Sequence, residues 1–191
     1  MQLVVIAIAT EPDRSEDKNL PVIKTPPPAI IAAVAAVRPD FLFSFYYRYM
    51  LGAELLALPM HGAYDMHGSL LPHYRGRVPI NWAVLQGAPR TGASLHRMTI
   101  KPDAGDLLAQ HAVPILPDDT AFEVFHKVTC AAECCLDGVL EALCAGQAAH
   151  TPLDLASGSY FGRRRPEDGR VESDGSPDWD TSCNAFTTFT L

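Results

Sequence analysis

Residue types able to move a proton or hold an anion concentrate between Tyr64 and Asp106. The densest stretch reads Tyr64-Asp-Met-His-Gly-Ser-Leu-Leu-Pro-His-Tyr-Arg-Gly-Arg-Val-Pro79. An imidazole such as that of His67 changes charge near neutrality, which suits it to general acid–base work. Arg75 and Arg77 carry planar guanidinium forks that match phosphate or carboxylate. Farther on, Lys101-Pro-Asp-Ala-Gly-Asp106 supplies carboxylates in a tight turn. By themselves these residues allow a bland reading. A single histidine is more often structural than catalytic, Asp103 could simply bond its own backbone in a turn, and Arg75 and Arg77 could be solvated surface charges.

The elements around this stretch read as an α/β chain. Leu3 to Ala9 is a continuous β-branched run, expected to be a strand buried on both faces, and Glu11 to Lys18 a charged loop. Pro26-Pro27-Pro28 marks a stop, followed by an apolar helix from Ala29 to Val37 that Arg38-Pro39-Asp40 closes. Phe41 to Tyr46 is a second buried strand, and the strand–helix–strand order predicts a parallel sheet of the doubly wound kind. A short helix over Leu51 to Leu58 and a strand over Gly62 to Met66 follow. That strand would deliver His67 at its carboxyl end, where open α/β sheets place ligand groups, and Gly68 lets the chain turn there. Pro79 to Gln86 suits a helix with proline in its first turn. Gly92 to Thr99 and Leu107 to Val113 read as strands. Asp118 or Asp119 is expected to cap a helix to about Ala145. Its Phe125, Val128, Ala132, Leu136, Val139 and Leu143 follow the helical period of a core face. The expected division is a catalytic domain over residues 1–156 and an irregular tail over 157–191, where Gly, Pro, Ser, Asp and Arg dominate.

Composition narrows the partners. The 191 residues suit one domain with a real core, and 48% hydrophobic with 19% charged residues is ordinary for a soluble globular chain. The net charge of -7 argues against a broad nucleic-acid footprint and for a small-molecule substrate. The five cysteines, 130, 134, 135, 144 and 183, are expected to be reduced and buried as small hydrophobes. His126 and Cys130 share a helix face, but no second ligand pair stands at zinc-finger spacing, so no metal is expected. Leu3 to Ala9 is too short to span a bilayer and lacks the marks of a signal peptide. The expected location is cytoplasmic.

Longer strings are more specific. His-Gly-Ser-Leu-Leu-Pro-x-Tyr-Arg-Gly-Arg-x-Pro from His67, with Thr91-Gly-Ala-Ser-Leu-His-Arg-Met98 and Asp103-Ala-Gly105, resembles the 10-formyltetrahydrofolate-dependent formyltransferase family. The branch it is most similar to formylates UDP-4-amino-4-deoxy-L-arabinose in lipid A modification and polymyxin resistance. Ser44-Phe-Tyr-Tyr-Arg48, Asn81-Trp82 and Phe161-Gly-Arg-Arg164 resemble the same branch. The resemblance implies a Rossmann-like fold with a mostly parallel sheet flanked by helices. It implies formyl transfer from 10-formyltetrahydrofolate, the co-substrate, to the amine of an amino-sugar nucleotide, with no metal, no nucleic acid and no membrane insertion. His67 matches the histidine that handles the amine proton, and Asp103 matches the aspartate that orients it. Tyr49, Met50, Leu51, Arg77 and the loop Thr99, Ile100, Lys101, Pro102, Asp103 would contact the folate. A methionyl-tRNA formyltransferase-like enzyme is the alternative, which the acidic balance disfavours. A non-catalytic folate- or nucleotide-binding remnant is the other.

The chain departs from the family pattern at one catalytic position. The family has asparagine two residues before the histidine; here Asp65 stands there. An asparagine amide donates to the oxyanion of the tetrahedral intermediate, whereas a carboxylate only accepts. Losing one such donor typically costs about 10²–10³ in rate, so impaired activity is expected. Leu3 to Pro12 resembles the family's second strand and loop. The expectation is therefore that the first strand–helix unit and the C-terminal extension are missing, with modest stability as the result.

Overall fold

The computed structural model describes residues 28–47 and 50–169. The expected strand Leu3 to Ala9, the loop Glu11 to Lys18, Tyr49, Cys183 and the stretch 170–191 lie outside the described residues. So does the expectation about a first strand–helix unit.

Helix α1 (Pro28–Val37) leads to strand β1 (Phe41–Phe45), the short helix α2 (Ala53–Leu56) and strand β2 (Gly62–His67). Then come β3 (Arg75–Gly76), α3 (Pro79–Leu85), β4 (Arg90–Arg97), β5 (Leu107–Pro114), α4 (Ala121–Cys144) and β6 (Tyr160–Phe161), closed by one turn of 3₁₀ helix, Pro166–Gly169. The main sheet runs β1-β2-β4-β5 and is mixed. The parallel pairing expected from the strand–helix–strand order joins β1 to β2, while β2–β4 and β4–β5 are antiparallel. A second, two-stranded parallel ladder pairs β3 with β6.

Side chains alternate across a strand, and β2 and β4 use the alternation to separate two environments. Tyr64 and Met66 on β2 and Ala93 and Leu95 on β4 point into one core, which α4 covers by packing on β4 and β5. Val124, Val128, Ala131, Ala132, Cys135, Val139 and Leu143 form the buried stripe of α4. Each fully buried valine or leucine side chain contributes about 1.5–3 kcal/mol, so this face carries much of the fold's stability. Phe125 and Leu136, expected in the stripe, are half-buried at its margin.

Three expectations are corrected. Thr120, not Asp118 or Asp119, caps α4: its Oγ1 accepts from the Phe122 amide at 3.2 Å, and its own amide donates to Glu123 Oε2 at 3.0 Å. A glutamate at the third helical position completes a reciprocal capping box only from Thr120. Asp119 instead accepts from the Leu116 amide at 2.6 Å and from Lys127 Nζ at 2.7 Å. Cys130 and Cys134 are exposed, because the buried stripe passes through positions 131 and 135. Cys135 is buried, and burial, helped by its neighbour Cys134, pushes its thiol up to about 11. Finally, residues 157–169 are not an irregular tail, since they contain β6, which pairs with β3.

Candidate functional site

Asp65 and His67 occupy the other face of β2, two residues apart, with His96 and Ser94 directly opposite them on β4. Antiparallel partners on one face stand close enough for their side chains to interact. Register thus brings together two residues distant in sequence, Asp65 and His96.

The loop after His67 is tied down by polar contacts. Ser94 Oγ donates to the Ser69 carbonyl at 2.5 Å and accepts from the Leu71 amide at 3.0 Å. Gln110 Nε2 donates to Ser94 Oγ at 2.9 Å and to the Leu71 carbonyl at 2.7 Å. Ser69 Oγ donates to the His73 carbonyl at 2.7 Å. This network satisfies buried polar groups and orients the chain that leads to β3.

His67 is 6% exposed. Its Nε2 lies 2.9 Å from the Tyr74 carbonyl, and its Nδ1 lies 3.5 Å from Asp103 Oδ1. A carbonyl only accepts, so Nε2 carries the proton in this contact. Asp103 is fixed from the other side: Gly76 N donates to its Oδ2 at 2.6 Å. Asp103 holds a left-handed backbone, φ 48°, a conformation that Asp tolerates better than most residues. Gly105 lets its loop lie against β4, where a Cβ would sit 1.9 Å from the Arg97 carbonyl.

Gly76, the anchor of Asp103, is itself held by β6. Its φ is +97°, and a Cβ there would meet the Phe161 carbonyl at 2.2 Å. Arg77 N donates to that carbonyl at 3.0 Å, and Ser159 Oγ accepts from the Tyr74 amide at 2.8 Å. Phe161 stacks on Tyr74 and on Trp82, at centroid distances of 5.4 and 4.9 Å.

His96 is a functional candidate that sequence reasoning missed. It is 2% exposed, with Nδ1 3.0 Å from the Arg97 carbonyl. Its Nε2 lies 3.6 Å from Asp65 Oδ2 and 3.7 Å from Asp103 Oδ1 and makes no hydrogen bond. Burial opposes the charged ring, but the carboxylates of Asp65 and Asp103 and the Arg97 carbonyl outweigh it and raise its pKa. The signal available in the sequence was the string around His96; its partner depends on strand register, which no local pattern carries.

The other sequence candidates divide. Asp103 brings the 99–103 loop to His67; within it Thr99 Oγ1 donates to the Lys101 carbonyl at 2.7 Å, and Ile100 is 63% exposed. Met50 and the half-buried Leu51 follow β1, whose last residue Phe45 is the register partner of Met66. Arg75 is half-buried, its guanidinium 5.9 Å from the Tyr160 ring, with Nε buried and without a hydrogen bond. Arg77 is exposed. Residues 162–166, beyond β6, line a hollow walled by Arg163, Arg164 and Arg165. Among the described residues, no helix is long and apolar enough to cross a membrane.

A model of the formyl transferase family matches residues 13–139, most of the chain. Solved structures share the fold. A 4-N formyltransferase from Francisella tularensis is 20% identical at a TM-score of 0.67, over 78% of this chain and 60% of that one. HypX from Aquifex aeolicus, in complex with tetrahydrofolic acid, is 20% identical at 0.72, over 84% of this chain and 28% of that one. The formyltransferase PseJ from Anoxybacillus kamchatkensis, in complex with UDP-4,6-dideoxy-4-formamido-L-AltNAc and tetrahydrofolate, is 25% identical at 0.63, over 78% and 77%. The chain thus spans less than two thirds of the first two.

Proposed function

The chain belongs to the formyl transferase family, and from that premise we propose that it transfers a formyl group from 10-formyltetrahydrofolate to the amine of an amino-sugar nucleotide. The observation that carries this reading is the pair of buried His67 and half-buried Asp103, anchored through Gly76. Support for the two substrates comes from PseJ, whose structure holds a UDP-linked formamido sugar and tetrahydrofolate.

In this reading the neutral amine attacks the formyl carbon, and the carbonyl electron pair moves to oxygen. The tetrahedral intermediate collapses by expelling the folate nitrogen, which leaves protonated. His67 takes the proton from the attacking nitrogen and returns it to the leaving one. For that, the ring must change tautomer, its proton moving to Nδ1 beside Asp103, and the freed Nε2 must exchange the Tyr74 carbonyl for substrate. Asp103 holds the ring in position. Met50, Leu51, Tyr49, Arg77 and the 99–103 loop contact the folate. The hollow beside β6, with Arg163 to Arg165 on its walls, suits a diphosphate, because guanidinium forks match phosphate oxygens. The finer reading has UDP-4-amino-4-deoxy-L-arabinose as acceptor and lipid A modification in the cytoplasm as its setting.

Asp65 favours a second reading, a folate-binding relative with little turnover. Its carboxylate stands beside the reaction centre and would repel the oxyanion, whereas an amide would donate to it. One experiment separates the two readings: formyl transfer to a panel of amino-sugar nucleotides, by the chain and by Asp65→Asn. The variant is expected to gain about 10²-fold or more. Binding of the folate with no turnover by either protein would select the second reading.

A further inference from the structure

We propose that Asp65, His96 and Asp103 form a binding site for one divalent cation of the zinc type. One oxygen or nitrogen from each residue converges, and all three donor atoms lie within 4.8 Å of one another. The site shares Asp103 Oδ1 with the His67 pair, so it is tested by metal binding itself and not by formyl transfer.

Two carboxylates near each other would not alone make a site. The decisive group is His96. Its imidazole is 98% buried, its Nδ1 is engaged by the Arg97 carbonyl, and its Nε2 points between the two carboxylates without a hydrogen bond. The ring faces the two carboxylates only at ion-pair distance, and a cation that replaces its proton would bond all three groups directly. The 3.6 and 3.7 Å separations from Asp65 and Asp103 are too long for hydrogen bonds. They are close to the edge of a coordination tetrahedron, which is about 3.4 Å for metal–ligand bonds of about 2.1 Å.

The outer contacts have the form that metal sites use. A ligating histidine commonly donates its second ring N–H to a backbone carbonyl, which fixes the tautomer. The Arg97 carbonyl does this for His96. A ligating carboxylate is commonly hydrogen-bonded in turn, and Gly76 N holds Asp103 Oδ2. Two carboxylates and a neutral imidazole balance the charge of a dication. One nitrogen and two oxygens suit zinc and its first-row neighbours better than magnesium or calcium, and three protein ligands leave a fourth position open.

The test uses the full chain, stripped with a chelator and then titrated with Zn²⁺ by calorimetry and with Co²⁺ by visible absorption. One saturable equivalent per chain is expected, with cobalt bands of nitrogen and oxygen ligation. The Asp65→Asn and His96→Gln variants should each bind at least about tenfold more weakly. Alkylating the cysteines should leave the binding intact. The proposal is overturned if the parent chain binds neither ion, or if Asp65→Asn/His96→Gln binds as tightly as the parent. A thiolate-to-cobalt charge-transfer band would overturn it as well, and that readout needs no variant to fold.

Discussion

The two faces of β2 and β4 share one backbone and do opposite work. Tyr64, Met66, Ala93 and Leu95 are buried in the core that they share with α4. Asp65, His67, Ser94 and His96 stand on the other face, just as near the sheet, in a setting of carbonyls and carboxylates. The apolar face is satisfied by contact area alone. The polar face needs each donor to meet its acceptor, and His96 Nε2 does not. Stability and chemistry are thereby assigned to alternate residues of the same strands, so substitutions one position apart should have unrelated consequences.

The sharpest break of that comparison is His67→Gln. Formyl transfer should fall by about 10²–10⁴-fold, the usual contribution of a positioned acid–base group, while the melting curve stays close to that of the parent. Parallel kinetics and thermal denaturation check both halves. Leu95→Ala, from the opposite face, should do the reverse. It is expected to remove about 2–5 kcal/mol of stability, measured by urea denaturation, yet leave turnover per folded molecule near the parent value. If Leu95→Ala lost turnover while still folded, the two faces would not be separable. The smallest effect is Thr120→Ala, which removes one side of the capping box and should cost about 1 kcal/mol. It serves as a calibration, because it weakens α4 without touching either face of the strands.

Much of this division was legible in the sequence. Strands β2, β4 and β5 and helix α4 follow from local runs and periods, and the α4 stripe needs only the helical repeat. His67 and Asp103 were found through their strings, and the structure sets them 3.5 Å apart. What escaped notice depends on distant partners. Three residues in a row, Asp118, Asp119 and Thr120, could cap a helix, and only the position of Glu123 selects Thr120. Strand β6 is two residues in a stretch rich in Gly, Ser and Arg, with no period of its own. The Asp65–His96 pairing is set by the register between β2 and β4, which depends on which faces of the two strands are buried.

The β3–β6 ladder has a consequence for how the molecule comes into being. Its flanking contact between Tyr74 and Ser159 spans 85 residues. Closing a flexible loop of that size costs on the order of 4 kcal/mol in chain entropy, so this contact belongs to the slow, non-local class. On the ribosome, Gly76 has no Phe161 to pair with until nearly all of the described chain has been synthesised. The segment that bears the recognisable strings emerges early, but its geometry is finished last, by a strand of two residues.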